Sequence, residues 1–259
     1  MNARINRLFA ADGKCFDVAI DHGLFGEGSF LAGIGDIEAA IATLVDASPD
    51  AIQLSLGQAP VLQRIPGRKP ALVLRADIAN VYGPAPPHRL YSELVAGAVE
   101  HALRLDAACV VVNLLLLPGE PELLRQCVRN VAALRALCDP VAMPLMVEPL
   151  VFKPGERGYG SDGDPEKIVP LVRQAVELGA DVIKADPTDD LADCADVVAT
   201  ARPRPLLIRG GGRAPEDEIL SRTAEVMRLG TAGIVYGRNV IQHPDPAAIT
   251  RRLMEIVHG

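Results

Sequence analysis

A chain of 259 residues with 49% apolar content can enclose one large core, and its 23% charged residues are an ordinary share for a globular protein. The formal net charge of −7, with no basic run and no aromatic platform, argues against a nucleic-acid partner but leaves small anions open, because a local arginine cluster binds them whatever the net charge. Five scattered cysteines without a CxxC or Cys-His pattern, no signal-like N-terminus and no run of about 20 apolar residues argue against disulfides, metal and membrane, and for reduced thiols in a cytoplasmic protein.

From the N-terminus, the first strand-like run is "FDVAID" (16–21). A helical pattern follows at 36–47, with Asp36 as its cap. "AIQLSL" (51–56) and "ALVLRA" (71–76) come next as strands, and the proline-rich stretch 77–89 reads as a loop at the end of the third. Apolar residues at helical spacing cover 91–105. "CVVVNLL" (109–115) is the fourth strand, followed by a helix over 121–137, and "PLMVEPL" (144–150) is the fifth. A helix over 164–179 opens on Asp-Pro and closes on glycine. "DVIKA" (181–185), "PLLIRG" (205–210) and "AGIVYG" (232–237) complete eight strands, with helices at 214–230 and 245–259.

The runs are apolar almost throughout, as in strands buried on both faces of a parallel sheet. Eight βα units in one chain of this length predict an α/β fold, a single (β/α)8 TIM barrel spanning 1–259, with an open doubly wound sheet as the alternative. "DHGLFGEGSF" lacks the G-x-G-x-x-G spacing that a dinucleotide-binding sheet would carry after its first strand.

Chemistry in such barrels sits at the carboxyl ends of the strands. The residues that stand there are Asp21 and His22 after the first strand, Gln53 and Ser55 on the second, and Arg75 and Asp77 at the third. Asn113, Glu148, Lys184 and Asp186 follow on the fourth to sixth, then Arg209 with Gly210 to Gly212, and Gly237 with Arg238. The last two sets fall on the strands whose loops commonly bind phosphate, where glycine lets the backbone approach the anion and arginine offers a fork to its oxygens.

Lys184 is one of only five lysines and closes an apolar strand. Burial disfavours the ammonium, and a neutral amine attacks a ketone to form a Schiff base. The competing reading is a structural ion pair with Asp186 or Asp21. Glu148 is the one carboxylate in "PLMVEPL". A raised pKa there would suit proton transfer, and the competing reading is a salt bridge to an interior arginine such as Arg75.

Together "VAIDHGLFGEG", "PLMVEPL", "DVIKAD", "LIRGGGR" and "GIVYGRNVIQHPDPAAI" resemble the class I, Schiff-base aldolases of the archaeal fructose-bisphosphate aldolase type. That wider group includes tagatose-bisphosphate and sulfofructose-phosphate aldolases, aminodideoxyheptulosonate synthases and the thiolase of autoinducer-2 breakdown. The resemblance runs from about residue 15 to about residue 253.

The resemblance implies that Lys184 is the Schiff-base lysine and that Asp21 contacts substrate hydroxyls and assists proton transfer. It also implies that Gly211, Gly212, Gly237 and Arg238 bind phosphate, with His22 beside them. The archaeal fructose-bisphosphate branch carries a proton-donating tyrosine late in strand five; "MVEPLVF" has none, Leu150 being nearest. The tagatose and sulfosugar branches carry a glutamate on this strand, so the acid/base role falls to Glu148. Arg209 stands where the family has a small residue, either to meet a further anion or to fill space. The implied activity is metal-independent cleavage or formation of a phosphorylated ketose, releasing dihydroxyacetone phosphate or a related ketone plus an aldehyde, in a homo-oligomer. Transaldolase-like or coenzyme A-dependent chemistry, and a non-catalytic sugar-phosphate-binding regulator, are the alternatives.

Overall fold

The computed structural model describes residues 3–82, 89–155 and 158–259. Residues 83–88, within the stretch 77–89 expected to be loop, and 156–157 lie outside the described residues.

The eight strands are β1 (Cys15–Ala19), β2 (Ala51–Leu54), β3 (Ala71–Arg75), β4 (Cys109–Leu116), β5 (Leu145–Gly155), β6 (Val182–Ala185), β7 (Leu206–Arg209) and β8 (Gly233–Tyr236). Each is parallel to the next, and β8 pairs with β1 through Cys15↔Gly233 to Val18↔Tyr236, so the sheet closes on itself and the open-sheet alternative is excluded. Closure leaves no exposed edge among these strands.

Side chains alternate across each strand. On β1 and just after it, Phe16, Val18 and Ile20 face the helices, and Cys15 and Ala19 face the barrel interior. Ala51, Val73, Val111, Met146, Val182, Leu207 and Val235 complete that interior, and Leu8 closes it from below. Fully burying one such aliphatic side chain stabilises the fold by ~1.5–3 kcal/mol. Two residues further along five of the strands the same inward face turns polar: Gln53 follows Ala51, Arg75 follows Val73, Glu148 follows Met146, Lys184 follows Val182 and Arg209 follows Leu207. An apolar plug therefore supports a polar layer at the carboxyl mouth.

The outer helices are α1 (Ile37–Ala47), α2 (Ala59–Arg64), α3 (Ala98–Arg104), α4 (Pro121–Cys138), α5 (Pro165–Glu177), α6 (Cys194–Ala201), α7 (Glu216–Arg228) and α8 (Pro246–His258). Asp36, Asp164 and Asp245 cap α1, α5 and α8 by accepting from backbone N–H groups of the first turn.

Three expectations need correction. The helix expected over 91–105 begins only at Ala98, after Gly97 at φ +65°, and Ser92–Leu94 instead pairs antiparallel with Asp77–Ala79, inside the stretch expected to be loop. α2 and α6 had no counterpart in the sequence reading, because six and eight residues are too short to show an amphipathic period. β5 runs on to Gly155 and folds back on Gly158–Ser161 as a hairpin.

Candidate active site

The polar layer is organised by Arg75, whose side chain is 1% exposed. Its Nε donates to Asp21 Oδ2 at 2.7 Å, Nη1 to Asp77 Oδ1 at 3.2 Å and Nη2 to Glu148 Oε2 at 2.6 Å. A buried guanidinium is tolerable only when its fork is matched in this way. Asp77 Oδ2 in turn accepts from Asn113 N, Asn113 Nδ2 and Ser92 Oγ, which ties the base of the loop after β3 to β4.

Lys184 stands in this framework. The β5–β6 ladder pairs Met146 with Val182 and Val147 with Ile183, so the next inward pair in register is Glu148 and Lys184. Lys184 Nζ lies 3.0 Å from Glu148 Oε1 and donates to Gln53 Oε1 at 3.2 Å. Gln53 Nε2 donates to Asp21 Oδ2 at 2.7 Å, which completes a ring from lysine to glutamine, aspartate, arginine and glutamate. The lysine is not paired with Asp21 or Asp186: Asp21 is taken by Arg75 and Gln53, and Asp186 accepts from Arg209 Nη1 at 3.3 Å. The ion pair of Lys184 is with Glu148 instead, and Glu148 also bridges Arg75 as its competing reading expected.

The electrostatics reverse one expectation. Burial alone would raise the Glu148 pKa, but Lys184, Arg75 and Arg209 together hold it well below the usual carboxylate range. Arg209 Nε is 3.7 Å from Glu148 Oε1. The carboxylate is thus an anion at neutral pH, ready to receive a proton rather than to donate one. Asp21 is also lowered, its burial outweighed by Arg75 and Lys184. Burial takes His22 down to about 4 despite the Asp21 charge, so the imidazole is neutral. Arg209 lies 3.3 Å from Asp186 Oδ2 through Nη1 and 3.7 Å from Glu148 Oε1 through Nε.

The two glycine loops expected to meet a phosphate form the rim. Gly211 has φ +61°, a conformation that favours glycine. A Cβ at Gly237 would lie 2.4 Å from His22 Cε1 and 2.7 Å from Ala19 O, so the chain can approach there only without a side chain. The Arg238 guanidinium lies over the Phe30 ring at 4.7 Å, with Nη2 3.4 Å from Gly211 O. Asn239 Nδ2 donates to Gly210 O at 3.1 Å and its Oδ1 accepts from Ala214 N at 3.3 Å, bracing the glycine loop.

One pocket brings together Asp21, His22, Glu148, Lys184, Arg209, Gly211, Gly237 and Arg238. Gly212 lies beside it, in an adjoining surface groove. The pocket also takes Phe25, Phe30, Tyr82 and Asn239, which the sequence reading did not single out. The three aromatics signalled themselves only by clustering near strand ends in a chain poor in aromatics, whereas Arg75 and Gln53 were visible as polar residues on apolar strands. Among the described residues, no group of three His, Cys, Asp or Glu side chains is placed to hold a metal ion, and no helix is long and apolar enough to cross a membrane.

The model of the DeoC/LacD family of aldolases matches residues 15–243. The 2-amino-4,5-dihydroxy-6-oxo-7-(phosphonooxy)heptanoate synthase of Streptomyces griseus is 29% identical over 99% of this chain and 89% of its own. The 3-hydroxy-5-phosphonooxypentane-2,4-dione thiolase of Escherichia coli is 29% identical over 100% of this chain and 82% of its own. The solved structure of an archaeal fructose-1,6-bisphosphate aldolase, its catalytic lysine covalently bound to the carbinolamine intermediate of the substrate, superposes with a TM-score of 0.80 at 26% identity, covering 100% of this chain and 99% of that one.

Proposed function

The chain belongs to the DeoC/LacD family of aldolases, as a class I, Schiff-base enzyme, and from that premise we propose that it cleaves or forms a phosphorylated ketose through Lys184, with dihydroxyacetone phosphate or a related ketone as one product and an aldehyde as the other. The observation that carries this reading is the 3.0 Å approach of Lys184 Nζ to Glu148 Oε1 inside a pocket rimmed by Gly211, Gly237 and Arg238.

The steps follow from that geometry. The substrate phosphate docks against the Gly211–Gly212 and Gly237–Arg238 loops. Lys184 passes a proton to Glu148, the nearest carboxylate, and attacks the ketone. Glu148 returns that proton to the carbinolamine hydroxyl, which leaves as water, and the resulting iminium draws electrons from the carbon–carbon bond two atoms away while Glu148 is again an anion. Glu148 accepts the hydroxyl proton as that bond breaks, and the aldehyde departs. Asp21, fixed by Arg75 and Gln53, orients the substrate hydroxyls. The enamine is then protonated and the imine hydrolysed, which returns Lys184. Arg75 and Arg209 do not react; they keep Glu148 ionised and in place.

Borohydride reduction in the presence of dihydroxyacetone phosphate tests this directly. Peptide mass spectrometry should place one reduced adduct on Lys184, and Lys184→Met should lose both adduct and cleavage while its circular dichroism is unchanged. Full activity in Lys184→Met would reject the Schiff base. The thiolase name of the Escherichia coli relative makes acyl transfer to coenzyme A the second reading, and acyl-CoA formation from a phosphorylated diketone would favour it over aldol cleavage.

A further inference from the structure

Tyr82 lines the pocket alongside Lys184, Glu148 and Arg209, and no step above uses it. It sits after the Asp77–Ala79 strand, on the segment that leaves β3. Its ring meets Phe25 at 5.0 Å, Phe30 at 5.4 Å and Phe152 at 5.8 Å, all edge-on. Three rings in contact leave the phenol little rotational freedom, so the hydroxyl is held on a stiff support. No described residue hydrogen-bonds that hydroxyl, which leaves it available to a ligand. Arg209 is the foremost charge acting on it, with Glu148, Asp186 and Arg75 behind. Arg238 also feels the phenol.

Resting on the Schiff-base reading above, we propose that Tyr82 is a catalytic residue that donates the proton to the enamine carbon once the aldehyde has left. That carbon needs a proton donor after Glu148 has served the departing hydroxyl. Tyr82 qualifies because burial pushes its phenol up to about 12, against the pull of Arg209, so it always carries its proton at neutral pH. In this step the Tyr82 O–H bond breaks, a C–H bond forms, and the enamine electron pair returns the nitrogen to iminium. The phenolate is held by the positive charge of Arg209 until it recovers a proton through water from Glu148, which still carries the one taken from the substrate hydroxyl. Protons balance, and no further reactant is needed.

Tyr82→Phe keeps the ring and its three aromatic neighbours and removes only the hydroxyl. With dihydroxyacetone phosphate as probe, the wild type in heavy water should exchange deuterium into the hydroxymethyl carbon beside the ketone. Tyr82→Phe should form the borohydride adduct on Lys184 to the same extent and exchange ~10²-fold or more slowly. A merely structural role would depress both readouts together. Wild-type exchange in Tyr82→Phe with the adduct intact would overturn this assignment alone. A wild type that forms no adduct would remove the enamine, and with it both this assignment and the reading beneath it.

Discussion

Asp17 is the strongest handle on stability. It lies on β1 between the inward-facing Cys15 and Ala19, is 0% exposed, and neither carboxyl oxygen has a hydrogen-bond partner. Burial raises its pKa from 3.8 to about 7, with Lys184 opposing. A folded pKa above the unfolded one means that the native state keeps a proton the unfolded chain has released. The associated stability is fully present below the unfolded value of about 3.9 and is lost as pH rises through about 7. About three units at ~1.4 kcal/mol each come to ~4 kcal/mol across that window. Asp17→Asn keeps the shape and cannot ionise. Its stability should therefore run level with the wild type near pH 4, gain on it up to about pH 7 and level off above that. For a chain of this size ~4 kcal/mol corresponds to roughly 8–16 °C in Tm. Thermal melts of both proteins in matched buffers at half-unit pH steps give the curve. Groups distant from Asp17 cancel in the difference. Parallel profiles would show that Asp17 does not titrate in this window, and would refute the claim that it is buried without a partner.

Three further substitutions probe the mouth of the barrel. Glu148→Gln should lower kcat by ~10²-fold or more in a cleavage assay if this carboxylate moves the hydroxyl proton, and an unchanged rate would pass that role to Asp21. Arg75→Met should cost ~3–5 kcal/mol in denaturant unfolding, because it strands Asp21, Asp77 and Glu148 without their shared cation; a loss below about 1 kcal/mol would mean that the three carboxylates are satisfied without it. Gly237→Ala drives a methyl into His22 and Ala19 O, so it should raise KM for a phosphorylated ketose well beyond any change in kcat, and an unaltered KM would detach this loop from phosphate binding.

The barrel was legible in the sequence because its strands are nearly continuous apolar runs, and a parallel strand covered on both faces can hardly be written otherwise. "DVIKA" and "PLMVEPL" announced their single charged residues for the same reason: one ionisable group in such a run stands out. The helix misread over 91–105 shows the limit of periodicity. "YSELV" fits a helical face equally well, and its true partner, Asp77–Ala79, lies across a stretch whose pairing no local pattern records. The two short helices failed for want of length.

What the sequence determined by itself was local: which segments are strands, which residues face inward two by two, and that Lys184 and Glu148 stand at strand ends. The partners are set by tertiary structure. Lys184 reaches Gln53 across 131 residues of chain, and Arg75 reaches Glu148 across 73. Those pairings exist only because the closed sheet sets β5 beside β6 in one register and brings β2 and β3 round to face them. The sign of the Glu148 shift followed from this. A lone glutamate in an apolar strand should titrate high, and three cations converging from β3, β6 and β7 bring it low instead. Tyr82 was hidden for the same reason, since its place in the pocket depends on rings contributed by the loop after β1 and by β5.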